Sequence, residues 1–120
     1  LAVRVMPARM MPNDLPNGIF GFAMLSASDP HATVANVYFD RIRRISDGRK
    51  VRRGVLLGYM MAHEIGHLLL GFNSHSGGGI MRIPWGPREL RRADLIQLGF
   101  SAKQSNRMRA NVVSRLPKSD

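Results

Sequence analysis

The sequence predicts an α+β fold in which a small mixed sheet packs on one long helix, followed by a loop and C-terminal helices. Three observations carry this. Short β-rich segments fill the first forty residues between Pro, Asn and Gly turn signals. Residues 51 to 70 repeat apolar side chains at helical spacing, and two more amphipathic stretches follow a glycine-broken loop. The 120 residues, 44% hydrophobic and without cysteine, form a single domain that buries roughly two-thirds of its unfolded surface without disulfides.

Ala2 to Met6 reads as a short strand, ahead of a connection rich in Pro7, Pro12, Pro16, Asn13-Asp14 and Asn17-Gly18. Ile19 to Leu25 and His31 to Phe39 are bulky and β-branched around Ser28-Asp29-Pro30, and read as two strands of a hairpin or meander. Arg41 to Arg53 places seven Lys and Arg around Ser46-Asp47-Gly48 and reads as a solvated loop. From Val51 to Leu70, the residues Val55, Leu56, Tyr59, Met60, Ala62 and Ile65 share helical spacing, and Gly71 marks the stop. Phe72 to Gly86, with Gly77-Gly78-Gly79 and Pro84, is a loop. Pro87 suits a first helical position, and Leu90, Ala93, Leu95, Ile96 and Leu98 supply an apolar face up to Gly99. Ser101 caps a last helix from Ala102 to about Leu116, before Pro117.

Charge excludes some partners. Eighteen Lys and Arg against eight Asp and Glu give a formal net charge of +10. The basic run lacks interleaved aromatics and any nucleic-acid motif, so nucleic acid is not the expected partner; polyanion binding stays as an alternative. The apolar runs Val55 to Met61 and Ile65 to Phe72 are interrupted by His63 and Glu64 and fall short of the ~20 residues of a membrane span. Leu1 in place of an initiating Met reads as a processed form or part of a longer chain, and the compartment stays open.

The chemistry concentrates in His63-Glu64-Ile65-Gly66-His67. Two histidines at i and i+4 project from one helix face a turn apart, so both imidazoles reach one tetrahedral metal. Glu64 beside them is placed to take a proton from a metal-bound water and pass it to a leaving amine, which is the division of labour in zinc peptidases. Gly66 inside the helix costs about 1 kcal/mol relative to alanine, which close backbone packing beneath the site would offset. Trp85 is placed to wall a cleft or to staple the loop to the last helices.

A catalytic zinc takes a third protein ligand and keeps a fourth position open. His75 is the first candidate. On an unbroken helix it would lie about 12 Å beyond His67, so the helix must end first, and Gly71 with Asn73 allows the chain to turn back. Glu89 and Asp94, on the following helix, are the rivals. If either of them, or a partner, filled the fourth position, the chain would be a non-catalytic zinc module rather than an enzyme.

The stretch from His63 to His75, followed by Gly79-Ile80-Met81, resembles the metzincin zinc-peptidase active site, H-E-x-x-H-x-x-G-x-x-H followed by a methionine turn. It is also similar to a group of small bacterial HExxH metallopeptidases. The resemblance implies Zn2+ on His63, His67 and His75, Glu64 as general base, Met81 as the Met-turn residue, and peptides or proteins as substrates. It covers about 20 residues tightly. This chain departs from the family spacing: its glycine comes one place late, at Gly71, and its third histidine two places late, at His75. An edge strand, from Ile19 to Leu25 or from His31 to Phe39, is expected to hold the extended substrate.

Overall fold

The computed structural model describes residues 1–15, 19–24, 33–49, 51–71, 73–94 and 97–117, without the side chains of 92–94. The expected turn at Ser28-Asp29-Pro30 lies outside these residues. Strand β1 (Ala2–Met6) runs parallel to β3 (Val34–Tyr38), in register from Ala2↔Val34 to Met6↔Tyr38. Strand β2 (Gly21–Ala23) pairs antiparallel on the other side of β3, Gly21 opposite Val37. The sheet order β1-β3-β2 makes the fold α+β with a small mixed sheet.

β3 is therefore central. Of the two segments expected to supply an edge strand, β2 alone lies at an edge of the sheet among the described residues, and it is three residues long. The composition of β3 fits its position: Ala35, Val37 and Tyr38 are buried hydrophobics, and the buried Asn36 accepts a hydrogen bond from Arg4 Nε at 2.8 Å. On one face of the strand, Ala35 meets Leu68 while Val37 joins Leu56 and Met60 in the main core. Leu56, Met60 and Leu68 all belong to helix α2 (Arg53–Leu70), which packs across the sheet.

The expected loop between Arg41 and Arg53 is instead mostly helix. Helix α1 (Phe39–Arg49) continues directly from β3. Ile42 and Ile45 point into the core from successive turns, and Asp40 pairs with Arg43 at 2.8 Å and Arg44 at 2.9 Å, the i,i+3 and i,i+4 contacts a helix offers. The arginine density that suggested a loop is the solvated face of this helix. Asp47-Gly48 lies in its last turn, and the buried Ser46 hydroxyl donates to the Val51 carbonyl, tying α1 to the start of α2.

Helix α3 (Pro87–Asp94) begins where Pro87 indicated; residues 95 and 96 lie outside the described part. Helix α4 (Ala102–Arg115) opens with a capping box, in which Gln104 N–H donates to Ser101 Oγ at 3.1 Å and Ser101 N–H donates to Gln104 Oε1 at 2.8 Å. No described helix is long and apolar enough to cross a membrane.

Candidate metal centre

Helix α2 carries His63, Glu64 and His67 on its final turns and stops at Gly71, whose N–H donates to the His67 carbonyl at 2.9 Å. Gly71 has φ +84° and ψ −162°, so the helix leaves through an extended positive-φ step rather than a left-handed cap; Asn73, at φ +56°, supplies the left-handed step two residues later. The two positive-φ residues reverse the chain and bring His75 back over the helix end. Its ring centroid lies 4.5 Å from that of His67 and 5.6 Å from that of His63. The two-place delay of the histidine is thus absorbed in the turn.

All three histidines offer a nitrogen within 4.8 Å of one another, the only such group of His, Cys, Asp or Glu among the described residues. The Nε2 atoms of His63 and His67 face each other at 3.1 Å. Their Nδ1 atoms are held from behind: His63 Nδ1 donates to the Ile80 carbonyl at 2.6 Å, and His67 Nδ1 lies 2.8 Å from Ser74 Oγ. Such outer contacts orient imidazole ligands before a metal arrives. Burial lowers the pKa of all three, His67 to about 3, with His63 and His75 adding to the effect on His67, so the rings are neutral near pH 7 as metal ligands must be.

Glu64 is 4% exposed, and its Oε2 has no hydrogen-bond partner among the described residues. Burial raises its pKa to about 8. It borders a small cavity of about 10 Å³ together with His63, Phe20, Gly21, Ile83 and Trp85, room for about one water. A buried carboxyl with an unpartnered Oε2, bordering the same cavity as His63, together with three converging neutral imidazoles, is a donor set that fits a metal ion. Trp85 sits beside the site: its ring stands nearly perpendicular to His63 at 6.1 Å, and its Nε1 donates to the Ile80 carbonyl of its own loop at 3.3 Å.

Of the two rivals for third ligand, Glu89 is engaged elsewhere. Glu89 is buried, and its Oε1 lies 2.6 Å from Arg82 Nε. The side chain of Asp94 lies outside the described part. Met81 is fully buried against Gly66, the residue between the two helix histidines: a Cβ on Gly66 would meet Met81 Sδ at 2.5 Å and Phe100 Cε1 at 3.0 Å. Gly66→Ala is therefore expected to lower stability by about 1–2 kcal/mol, as overpacking outweighs the gain in helix propensity of about 1 kcal/mol. Urea denaturation checks this, and a stabilised variant would contradict the packing.

The metal-free chain has a signed pH response. His67 stays neutral down to about 3 against 6.5 for a free imidazole, so the unfolded chain binds more protons and stability is lost as pH falls from 6.5 towards 3. Glu64 is the reverse. With its pKa raised from 4.5 to about 8, the folded chain keeps a proton the unfolded chain has lost, so stability is lost as pH rises from 4.5 through 8. Thermal unfolding in chelator should show both losses, and Glu64→Gln should abolish the alkaline one. An alkaline loss of equal size in the variant would contradict this placement of Glu64.

Sequence reasoning missed Ser74 and the Ile80 carbonyl. Ser74, a hydroxyl next to His75, was readable as a neighbour; a backbone acceptor leaves no trace in residue type. Comparisons with protein-family models, curated proteins and solved structures give no match for this chain.

Proposed function

We propose that this chain is a zinc-dependent peptidase of metzincin-like build, hydrolysing peptide bonds with Glu64 as general base. The observation that carries the reading is the convergence of His63, His67 and His75 next to the buried Glu64, whose Oε2 has no hydrogen-bond partner among the described residues. Two further features support the metzincin-like form. His75 returns to the helix after a reversal, and Met81 packs beneath Gly66 in the manner of a Met-turn residue.

In this reading, His63, His67 and His75 would hold the metal through three neutral imidazoles. When bound, zinc would supply a water acidified to near neutral pH and would polarise the scissile carbonyl. Glu64 takes a proton from the attacking water and delivers it to the leaving amine. Trp85 and Phe20 border the carboxyl and exclude bulk water from it. The free edge of β2, whose Gly21 borders the same cavity, holds an extended peptide by main-chain hydrogen bonds. Glu89, engaged by Arg82, does not favour the alternative of a closed, non-catalytic zinc module.

The test is hydrolysis of a quenched fluorescent peptide library by the zinc-loaded chain. Cleavage that chelator stops and zinc restores is expected. A fully zinc-loaded chain that cleaves no peptide in the library would overturn the peptidase assignment.

A further inference from the structure

We propose that Gln104, in the first turn of α4, is a positioning residue for the third metal ligand: its amide ties the backbone that carries His75 to the cap of α4. The inference rests on the metal-binding reading above and concerns a residue on neither the ligand helix nor the ligand loop.

His75 differs from the other two histidines in how it is held. His63 and His67 each have a partner behind Nδ1, whereas no hydrogen bond orients the His75 ring among the described residues. An exposed ring on an irregular segment goes where its backbone goes, and this backbone is anchored on both sides of the residue. On one side Ser74 lies against His67 of α2. On the other, Ser76 N–H donates to the Met81 carbonyl at 3.1 Å, closing the loop on itself, and the Ser76 hydroxyl meets Gln104.

Donor chemistry fixes the direction of each bond. The Ser101 N–H only donates, so Gln104 presents Oε1 to it, at 2.8 Å, and turns Nε2 to Ser76. An amide NH2 only donates, so Ser76 Oγ accepts at 3.3 Å and gives its own proton to the Gly78 carbonyl at 2.8 Å. Every member of this run is satisfied, and each bond polarises the next. The segment leading into α4 holds the loop again at its far end, where the Gly99 carbonyl accepts from Ile80 N–H at 3.0 Å behind His63. A glutamine that only completed a capping box would serve α4 alone. Here the other half of the same amide reaches a residue 28 positions earlier, next to a ligand.

Two neighbouring substitutions separate capping from positioning. Gln104→Ala removes one bond of the box together with the tie to Ser76, whereas Ser101→Ala removes the other bond of the box and leaves the tie in place. Ser76→Ala removes the tie and leaves the box intact. Zn2+ affinity is measured by competition with a chelating dye for the parent, these three variants and the Gln104→Ala/Ser76→Ala pair, with urea denaturation of each in chelator.

Gln104→Ala and Ser76→Ala are each expected to bind Zn2+ about 3–10-fold more weakly, the worth of one hydrogen bond, and the pair no more weakly than either alone. Ser101→Ala should lose as much stability as Gln104→Ala and keep Zn2+ affinity within about twofold of the parent. Parental affinity in Gln104→Ala, losses that add in the pair, or an equal loss of affinity in Ser101→Ala overturns the role of Gln104 and leaves the metal site standing. A parent that binds no Zn2+ overturns both. If Gln104→Ala does not fold, Ser76→Ala decides alone, and parental affinity there overturns the proposal.

Discussion

Replacing Glu64 by Gln is expected to leave the metal content unchanged and to lower peptide turnover by at least about 100-fold, the scale of a positioned general base. Glutamine has nearly the same shape, so the buried site between Phe20, Gly21 and Trp85 stays filled and His63 keeps its neighbours. What is lost is the capacity to take up a proton. The carboxyl is suited to that task because it is buried beside His63, and a bound cation there would hold it ionised and ready to accept a proton. Zinc content by elemental analysis and turnover of one cleaved peptide, measured on the same preparation, check the prediction. A variant that keeps its zinc and hydrolyses the peptide at the parental rate would remove Glu64 from the reaction.

His75→Ala is expected to lower zinc affinity by more than the ~10–100-fold typical of losing an outer partner, because it removes a direct ligand. His75 is exposed and sits in the loop after α2, so little packing goes with it, and the melting temperature of the metal-free chain should barely move. That separation makes the variant informative. Affinity should collapse while the apo fold stands. Zinc retained at parental affinity would shift the third ligand to another residue, which for Glu89 would require breaking its 2.6 Å pair with Arg82.

Much of the site was legible because its chemistry is local to one helix. The i,i+4 spacing of His63 and His67 fixes their common face whatever surrounds them, and Gly71 and Asn73 mark where the chain can reverse. The capping box at Ser101 and Gln104 was half visible, since Ser101 was read as a cap and its reciprocal partner was not. Other features depend on contacts no window of sequence contains. The parallel pairing of β1 with β3 places β3 in the middle of the sheet, and neither strand's composition says which neighbour it takes. Helix α1 was hidden by its arginines: the stripe of Phe39, Ile42 and Ile45 was present, but the basic run with Asp47-Gly48 outweighed it. The outer partners of His63 and His67 follow from the path of the loop from Gly71 to Met81, which sequence outlines only as irregular.

The most direct test of the central claim is X-ray absorption at the zinc edge of the purified chain. A first shell of three imidazole nitrogens at about 2.0–2.1 Å with one further oxygen, lost from the three-histidine pattern in His75→Ala, is the predicted result. A first shell with fewer than three imidazoles, or no zinc bound even after reconstitution, would contradict it.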